Sequence, residues 1–89
     1  MPDPLPKWLL IRYAKIWKEK KNAELKYDQI RDLLMEKDDR TLSVILSALR
    51  KYGWLETKLD PSDTRRRKYR LRDPNEVMEE ILDELAMKS

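Results

Sequence analysis

Six cations fall within eight residues, in segment 65–72. They are Arg65, Arg66, Arg67, Lys68, Arg70 and Arg72. Guanidinium and ammonium groups at this density repel one another and folding does not require them, whereas the phosphates of a nucleic acid would neutralise them. We therefore expect the first five to contact a phosphate backbone or a narrow minor groove. A basic edge strand that resists aggregation is the simpler alternative.

The charge is unevenly distributed along the 89 residues. The net charge is +3, yet residues 58–72 carry +5 and residues 73–89 carry −5. A chain polarised in this way draws partners of opposite charge to one region of its surface. Its abundance of Lys, Arg and Glu is also typical of proteins from thermophiles.

Several kinds of chemistry are excluded by what the sequence lacks. It has no Cys and no His, and therefore no disulfide, no thiolate nucleophile and neither the commonest general base nor the commonest metal ligand. Gly53 is the only glycine, so no glycine-rich loop can hold a phosphate. The longest apolar run, 8–11, is far shorter than the ~20 residues of a membrane span. The sequence predicts a cytoplasmic, non-enzymatic protein with no metal or cofactor, no membrane contact and no evident small-molecule ligand.

The hydrophobic periodicity predicts four helices and one hairpin in a single domain that is mainly α with a small β-hairpin, an α+β class. The helices are expected at 6–22, 27–37, 39–52 and 74–87, and the hairpin at 54–71, with 24–26 as one further short strand. Asp38 and Asp73 are suited to cap the third and fourth helices, because a carboxylate accepts the first free N–H groups. Gly53 is suited to end the third helix in a left-handed conformation.

The helix predicted at 39–52 has one apolar stripe and one outward face. The stripe consists of Leu42, Ile45, Leu46, Leu49 and Tyr52. The outward face consists of Arg40, Ser43, Val44, Ser47 and Lys51, with Thr41 beside it. The same face would serve equally well as an ordinary solvated surface.

The order of elements and the run 41–55 resemble the winged helix-turn-helix of small regulators such as the MarR, ArsR and PadR families. Those families show a Thr/Ser pair, two leucines three apart, and a Gly-Leu-Ile that opens the first wing strand, where this chain has Gly53, Trp54 and Leu55. The resemblance implies a regulator that binds double-stranded DNA. The helix at 39–52 would read the major groove with its outward face, and the basic wing would contact phosphates.

The first and last helices carry more apolar surface than one small core needs. On the first helix the apolar arc covers about 160°, against roughly 100° for a single packed face. We therefore expect a homodimer. Its predicted contacts are Trp8, Leu9, Tyr13, Trp17, Met78, Leu82 and Leu85.

Two further interpretations remain open at this point. Val44 stands where a polar residue is often found in the resembling families, which favours a protein-interaction module of the replication or transcription machinery. Binding of double-stranded RNA is a more distant alternative. A first helix that lies on an anionic membrane is disfavoured, because the core needs its apolar arc.

Overall fold

Four helices and a three-stranded antiparallel sheet make up the described part of the chain. The computed structural model describes residues 2–60 and 62–88, and only the backbone at 60, 63–66 and 88. In chain order the elements are α1 (Lys7–Lys20), β1 (Leu25–Lys26), α2 (Tyr27–Leu34), α3 (Asp39–Lys51), β2 (Leu55–Asp60), β3 (Asp63–Leu71) and α4 (Pro74–Lys88). The predicted α+β class is confirmed.

The sheet has the order β1-β3-β2, so the longest strand lies in its centre. β2 and β3 form the expected hairpin, and the short β1 adds a third strand by pairing Leu25 with Tyr69. The side chains of Leu25, Leu55, Tyr69 and Leu71 are buried on the inner face of the sheet, against the helices. The outer face is left to polar and charged residues, as the two-residue period of a strand requires.

Local capping decides where the helices begin and end. α2 stops three residues before its predicted end, because Met35 takes a left-handed conformation (φ 53°) and donates its backbone N–H to the carbonyl of Asp32 at 3.2 Å. α3 ends at Lys51, and Gly53 follows with φ 85°. A β-carbon at Gly53 would lie 3.0 Å from the Cα of Pro2, so glycine is required there by both the backbone angle and the close approach.

The core is built from one side of α1, α2 and α3, the inner face of the sheet and the first half of α4. Among the described residues no charged side chain is buried in it. Its fully buried members are Leu9, Ile16, Ile30, Leu42, Ile45, Leu49, Leu71 and Val77. Within the described ranges, no helix is both long and apolar enough to span a membrane.

Two aromatic side chains connect distant parts of the chain inside this core. The rings of Tyr13 and Trp54 meet edge to face, with centroids 5.2 Å apart. The Tyr13 hydroxyl donates to the carbonyl of Arg72 at 2.6 Å, and the Trp54 indole N–H donates to the carbonyl of Asp3 at 2.7 Å. Asp3 in turn donates its N–H to the carbonyl of Tyr52 at 2.9 Å, so the N-terminal segment packs against the end of α3.

We predict that the stabilising effect of the Tyr13 hydroxyl is lost at alkaline pH. Burial, followed by the charge of Asp73, raises the pKa of Tyr13 well above its ordinary value of 10.0. Above pH 10 the phenol therefore ionises in the unfolded chain while it stays neutral in the folded one, so its contribution is complete below pH 10 and falls above it. Tyr13→Phe removes the hydroxyl that donates to the Arg72 carbonyl, and it should lower the free energy of unfolding by about 1–3 kcal/mol at pH 7.

Urea unfolding of both proteins from pH 7 to pH 11 tests this expectation. The difference in the free energy of unfolding between wild type and variant should shrink above pH 10, by up to about 1.4 kcal/mol per pH unit. Groups that titrate equally in both proteins cancel in the difference. A difference that stays constant over the whole range would contradict the assignment.

Candidate nucleic-acid interface

The first turn of α3 is fixed by Asp38. Its Oδ1 accepts a hydrogen bond from the backbone N–H of Arg40 at 2.9 Å, and its Oδ2 accepts one from the Thr41 hydroxyl at 3.3 Å. Leu42, Ile45, Leu46 and Leu49 are buried on the inner side of the helix. The opposite side of α3 therefore faces solvent along its whole length.

The outer face of α3 consists of the five residues that the periodicity indicated. Arg40, Ser43, Val44, Ser47 and Lys51 are all exposed, and Thr41 beside them is half-buried. Long cations stand in the first and last turns of the helix, with short side chains between them. Arginine can bond guanine bidentately and serine can bond several bases, so this arrangement is chemically suited to contacts with base edges.

A shallow groove of about 100 Å³ runs between α3 and β3. Its lining residues are Tyr27, Ser43, Leu46, Ser47, Arg50, Thr57, Arg67 and Tyr69. No acidic side chain is among the described residues that line it. The groove thus brings two hydroxyl groups of α3 and two guanidinium groups to one concave surface, which we call the α3–β3 groove.

Arg50 was missed by the sequence analysis, although a signal for it exists. Ser43, Ser47 and Arg50 are spaced by four and three residues, which places them on one side of a helix. The predicted outward face was centred nearer Arg40 and Val44, so Arg50 fell at its edge. The position of β3 beside that edge gives Arg50 its place in the α3–β3 groove.

A second groove, of about 230 Å³, lies on the other side of α3, against α1. Trp8, Arg12, Arg40, Thr41, Val44 and Ile45 line it. Arg12 lies over the Trp8 ring at 5.9 Å from its centroid and donates to the Trp8 carbonyl at 2.8 Å. Trp8 is 42% exposed and Val44 is 58% exposed, so this α1–α3 groove offers apolar surface to solvent.

The sheet divides the predicted basic wing between two faces. Arg67 lines the α3–β3 groove, whereas Lys68 and Arg70 line a different groove with Glu24 and Glu56. Successive side chains of a strand point to opposite faces, so Lys68 and Arg70 project away from α3. The side chains of Arg65 and Arg66 lie outside the described part of the chain.

Arg72, the sixth cation of segment 65–72, is paired within the chain. Its Nη2 lies 2.9 Å from the Glu80 carboxylate and its Nε lies 4.0 Å from that of Glu56. Its Nη1 also donates to the carbonyl of Gly53 at 3.3 Å. The hydrogen bond from Arg72 holds the pKa of Glu80 below its usual value. Intramolecular carboxylates thus neutralise Arg72, which joins the base of the wing to α4.

The seven residues predicted to form the homodimer interface differ in how exposed they are. Leu9 and Tyr13 are buried in the core of the chain and have no surface to offer a partner. We therefore remove them from the predicted interface. Trp17 is partly buried and stacks on Tyr13, with ring centroids 6.2 Å apart. Val77 and Ile81 are buried and anchor α4. The other four residues of the predicted interface are exposed. Those exposed residues are Trp8, Met78, Leu82 and Leu85.

Solved structures with this arrangement of helices and strands are winged-helix transcriptional regulators. MarR matches with a TM-score of 0.61 and 19% identity over 94% of this chain. BpsR of Bordetella bronchiseptica matches with a TM-score of 0.64 and 18% identity over 93% of this chain. A mutant of MepR from S. aureus, bound to an oligodeoxyribonucleotide, matches with a TM-score of 0.62 and 19% identity over 94% of this chain. The chain therefore has the winged helix-turn-helix fold.

These similarities show the fold, because the identities are low. The chain spans 58% of the length of the MarR chain, 61% of BpsR and 62% of MepR. Two of the structures concern small molecules: DNA binding by BpsR is regulated by 6-hydroxynicotinic acid, and PcaV of Streptomyces coelicolor is in complex with its natural ligand. The sequence matches no protein-family model and no curated protein.

We predict that α3 loses stability when its cap is removed. Asp38→Ala deletes the acceptor of the Arg40 N–H and should lower the free energy of unfolding by about 0.5–2 kcal/mol. Asp38→Asn is the matched control, since its amide oxygen also caps a helix and should retain most of the stability. Urea unfolding followed by circular dichroism measures both. Equal losses for the two variants would show that charge, and not the cap, is what Asp38 contributes.

Proposed function

We propose that this chain binds double-stranded DNA as a transcriptional regulator and has no enzymatic activity. The α3–β3 groove is the observation that carries the proposal, because it joins two hydroxyls of a solvent-facing helix to Arg50 and Arg67 with no acid among its described lining residues. In this fold such a helix enters the major groove and the adjoining hairpin contacts the backbone. Binding to chromosomal DNA would place the chain with the nucleoid.

The two parts of this surface would make different contributions to binding. Arg67, together with Arg65 and Arg66 of the same strand, would supply phosphate contacts that depend little on sequence. Arg40, Ser43 and Ser47 would supply the contacts to base edges that favour one sequence over another. Val44 would contact the methyl group of a thymine, an apolar contact that also carries sequence information.

We also propose that the chain acts as a homodimer through α4 and the exposed side of α1. Leu82 and Leu85 are 57% and 58% exposed, and Met78 and Trp8 add further apolar surface. Three exposed apolar side chains within two turns of α4 would form a contiguous apolar patch, and patches of this kind mark interaction sites. Two-fold symmetry would present two copies of α3 about one helical turn of DNA apart, as a palindromic site requires.

The α1–α3 groove favours a second candidate function, a winged-helix module that binds protein. Trp8 and Val44 together expose a wider apolar surface beside the outer face of α3 than contact with one thymine methyl group would use. A short apolar segment of a partner would cover both residues. The salt dependence of duplex binding separates the two functions, because phosphate contacts give a steep slope and an apolar protein contact does not.

We predict that two double variants weaken DNA binding in different ways. Arg50→Ala with Arg67→Ala should lower affinity for every duplex and flatten the log–log salt slope by up to about 2 units, at about 0.9 per lost phosphate contact. Arg40→Ala with Ser43→Ala should weaken the binding free energy by about 1–3 kcal/mol per lost base contact on a preferred sequence. The same variant should weaken binding to random DNA much less. Selection of a preferred sequence from a random pool, followed by fluorescence anisotropy at several salt concentrations, measures both effects.

A third variant serves as the control for the loss of charge. Lys18→Gln with Lys20→Gln removes two cations from the exposed end of α1, so it should leave the salt slope nearly unchanged. If both double variants weakened random and preferred DNA equally, the chain would be a non-specific binder. If neither changed DNA binding, the protein-binding function would replace the proposed one.

We predict that charge on the exposed side of α4 dissociates the homodimer. Leu82→Glu with Leu85→Glu places two carboxylates in an interface expected to bury about 1,200–2,000 Å² in total. Light scattering at tens of micromolar should show the wild type as a dimer and this variant as a monomer. Glu79→Gln with Asp83→Asn changes the charge of the same helix at exposed positions and should remain dimeric. A monomeric wild type would contradict the assembly.

A further inference from the structure

Three lysines lie directly opposite one another across the sheet. The strand register pairs Lys26 of β1 with Lys68 of β3, and Lys68 with Lys58 of β2. Residues paired in this way project to the same face, so the three form one row, which we call the lysine row. Like charges directly opposite one another on neighbouring strands destabilise a sheet. The row therefore works against folding.

Protection of the sheet edges does not account for the lysine row. Exposed lysines on edge strands prevent a sheet from pairing with another chain, which is a sufficient reason for Lys26 and Lys58. Lys68, however, lies on β3, the central strand, where both sides are already paired. Glu24 lies 3.8 Å from Lys68 and offsets one of the three charges. With Glu56, which lies opposite Arg70, two acids stand beside four cations among the described residues of this face, so a net positive charge remains for an external anion.

The lysine row and α3 lie on opposite sides of the sheet. Lys58, Lys68 and Arg70 line a groove of about 360 Å³ with Glu24 and Glu56, whereas Arg67 lines the α3–β3 groove. Lys58, on the edge strand β2, also lines a groove with Arg50 and Arg67. A straight duplex seated against α3 can therefore reach Lys58 at the edge of β2, whereas Lys26 and Lys68 project from the other side of the sheet. Across three strands the row spans about 10 Å, since neighbouring strands are ~4.8 Å apart. That length covers about three phosphate-to-phosphate steps of one strand, at ~3.4 Å each along the duplex axis.

We propose that the lysine row is a second phosphate-binding surface, which takes a DNA segment other than the one bound by α3. This inference rests on the proposed DNA-binding function. A protomer with both surfaces occupied bridges two duplex segments. The contacts are to phosphates alone, so the second segment is bound without regard to its sequence and its binding falls with salt.

A capture assay tests the bridge. A biotinylated 30-base-pair duplex on beads is saturated with the full chain, and retention of a second, fluorescent duplex is measured after washing. The wild type should retain the second duplex, and Lys26→Gln with Lys68→Gln should lower that retention about tenfold while the protein stays on the first duplex. Lys26→Arg with Lys68→Arg keeps the charge and should restore retention. Lys18→Gln with Lys20→Gln removes equal charge from α1 and should have no effect.

Each result separates this proposal from the proposed function. Retention that is absent in the wild type, or unchanged in Lys26→Gln with Lys68→Gln, overturns the second surface. If that variant weakens binding to the first duplex as much as Arg50→Ala with Arg67→Ala does, the row belongs to a single interface and the proposal is overturned. If only the lysine variant weakens the first duplex, the role of α3 fails instead. Thermal unfolding should show no loss of stability in the glutamine variant, because it removes a repulsion.

Discussion

The contact between Tyr13 and Trp54 is the interaction on which the rest of the structure depends. Both side chains are buried, and each donates a hydrogen bond to a distant backbone carbonyl, those of Arg72 and Asp3. The edge-to-face packing joins α1 to the turn between α3 and β2, and the two hydrogen bonds add the end of β3 and the N-terminal segment. A thin core in an 89-residue chain gains most from side chains that combine large apolar area with a satisfied polar end.

Arg72 extends the same junction to the surface. Its carbonyl accepts from Tyr13, its backbone N–H donates to the Trp54 carbonyl at 3.0 Å, and its guanidinium bonds Glu80 of α4. One residue therefore links the end of the wing, the turn after α3 and the helix proposed to carry the partner contacts. Arg72 thus positions these elements, and the proposed phosphate contacts would fall to cations elsewhere on the sheet and on α3.

Local features of the sequence determined the elements and several of their ends. The 3.6-residue period of α3, the cap at Asp38 and the left-handed Gly53 each depend on neighbours within a few residues, so the chain itself contains the information. The exposed outer face of α3 follows from the same period, since one buried stripe leaves one solvent side. The switch to a two-residue period after Trp54 likewise predicted the hairpin. Interactions between residues close in sequence can be predicted because the repeat of a helix or a strand is nearly the same in every protein.

Only the tertiary structure decided which charges belong together. The lysine row depends on the register of three strands, which pairs Lys26 with Lys68 across more than forty positions of sequence. The place of Arg50 depends on where β3 lies beside α3, and the neutralisation of Arg72 depends on a glutamate of α4. Tyr13 was placed at a predicted interface because its helix is apolar over a wide arc, yet Trp54 covers it. Periodicity reports how much of a helix is apolar, whereas the packing partner decides which part of it reaches the solvent.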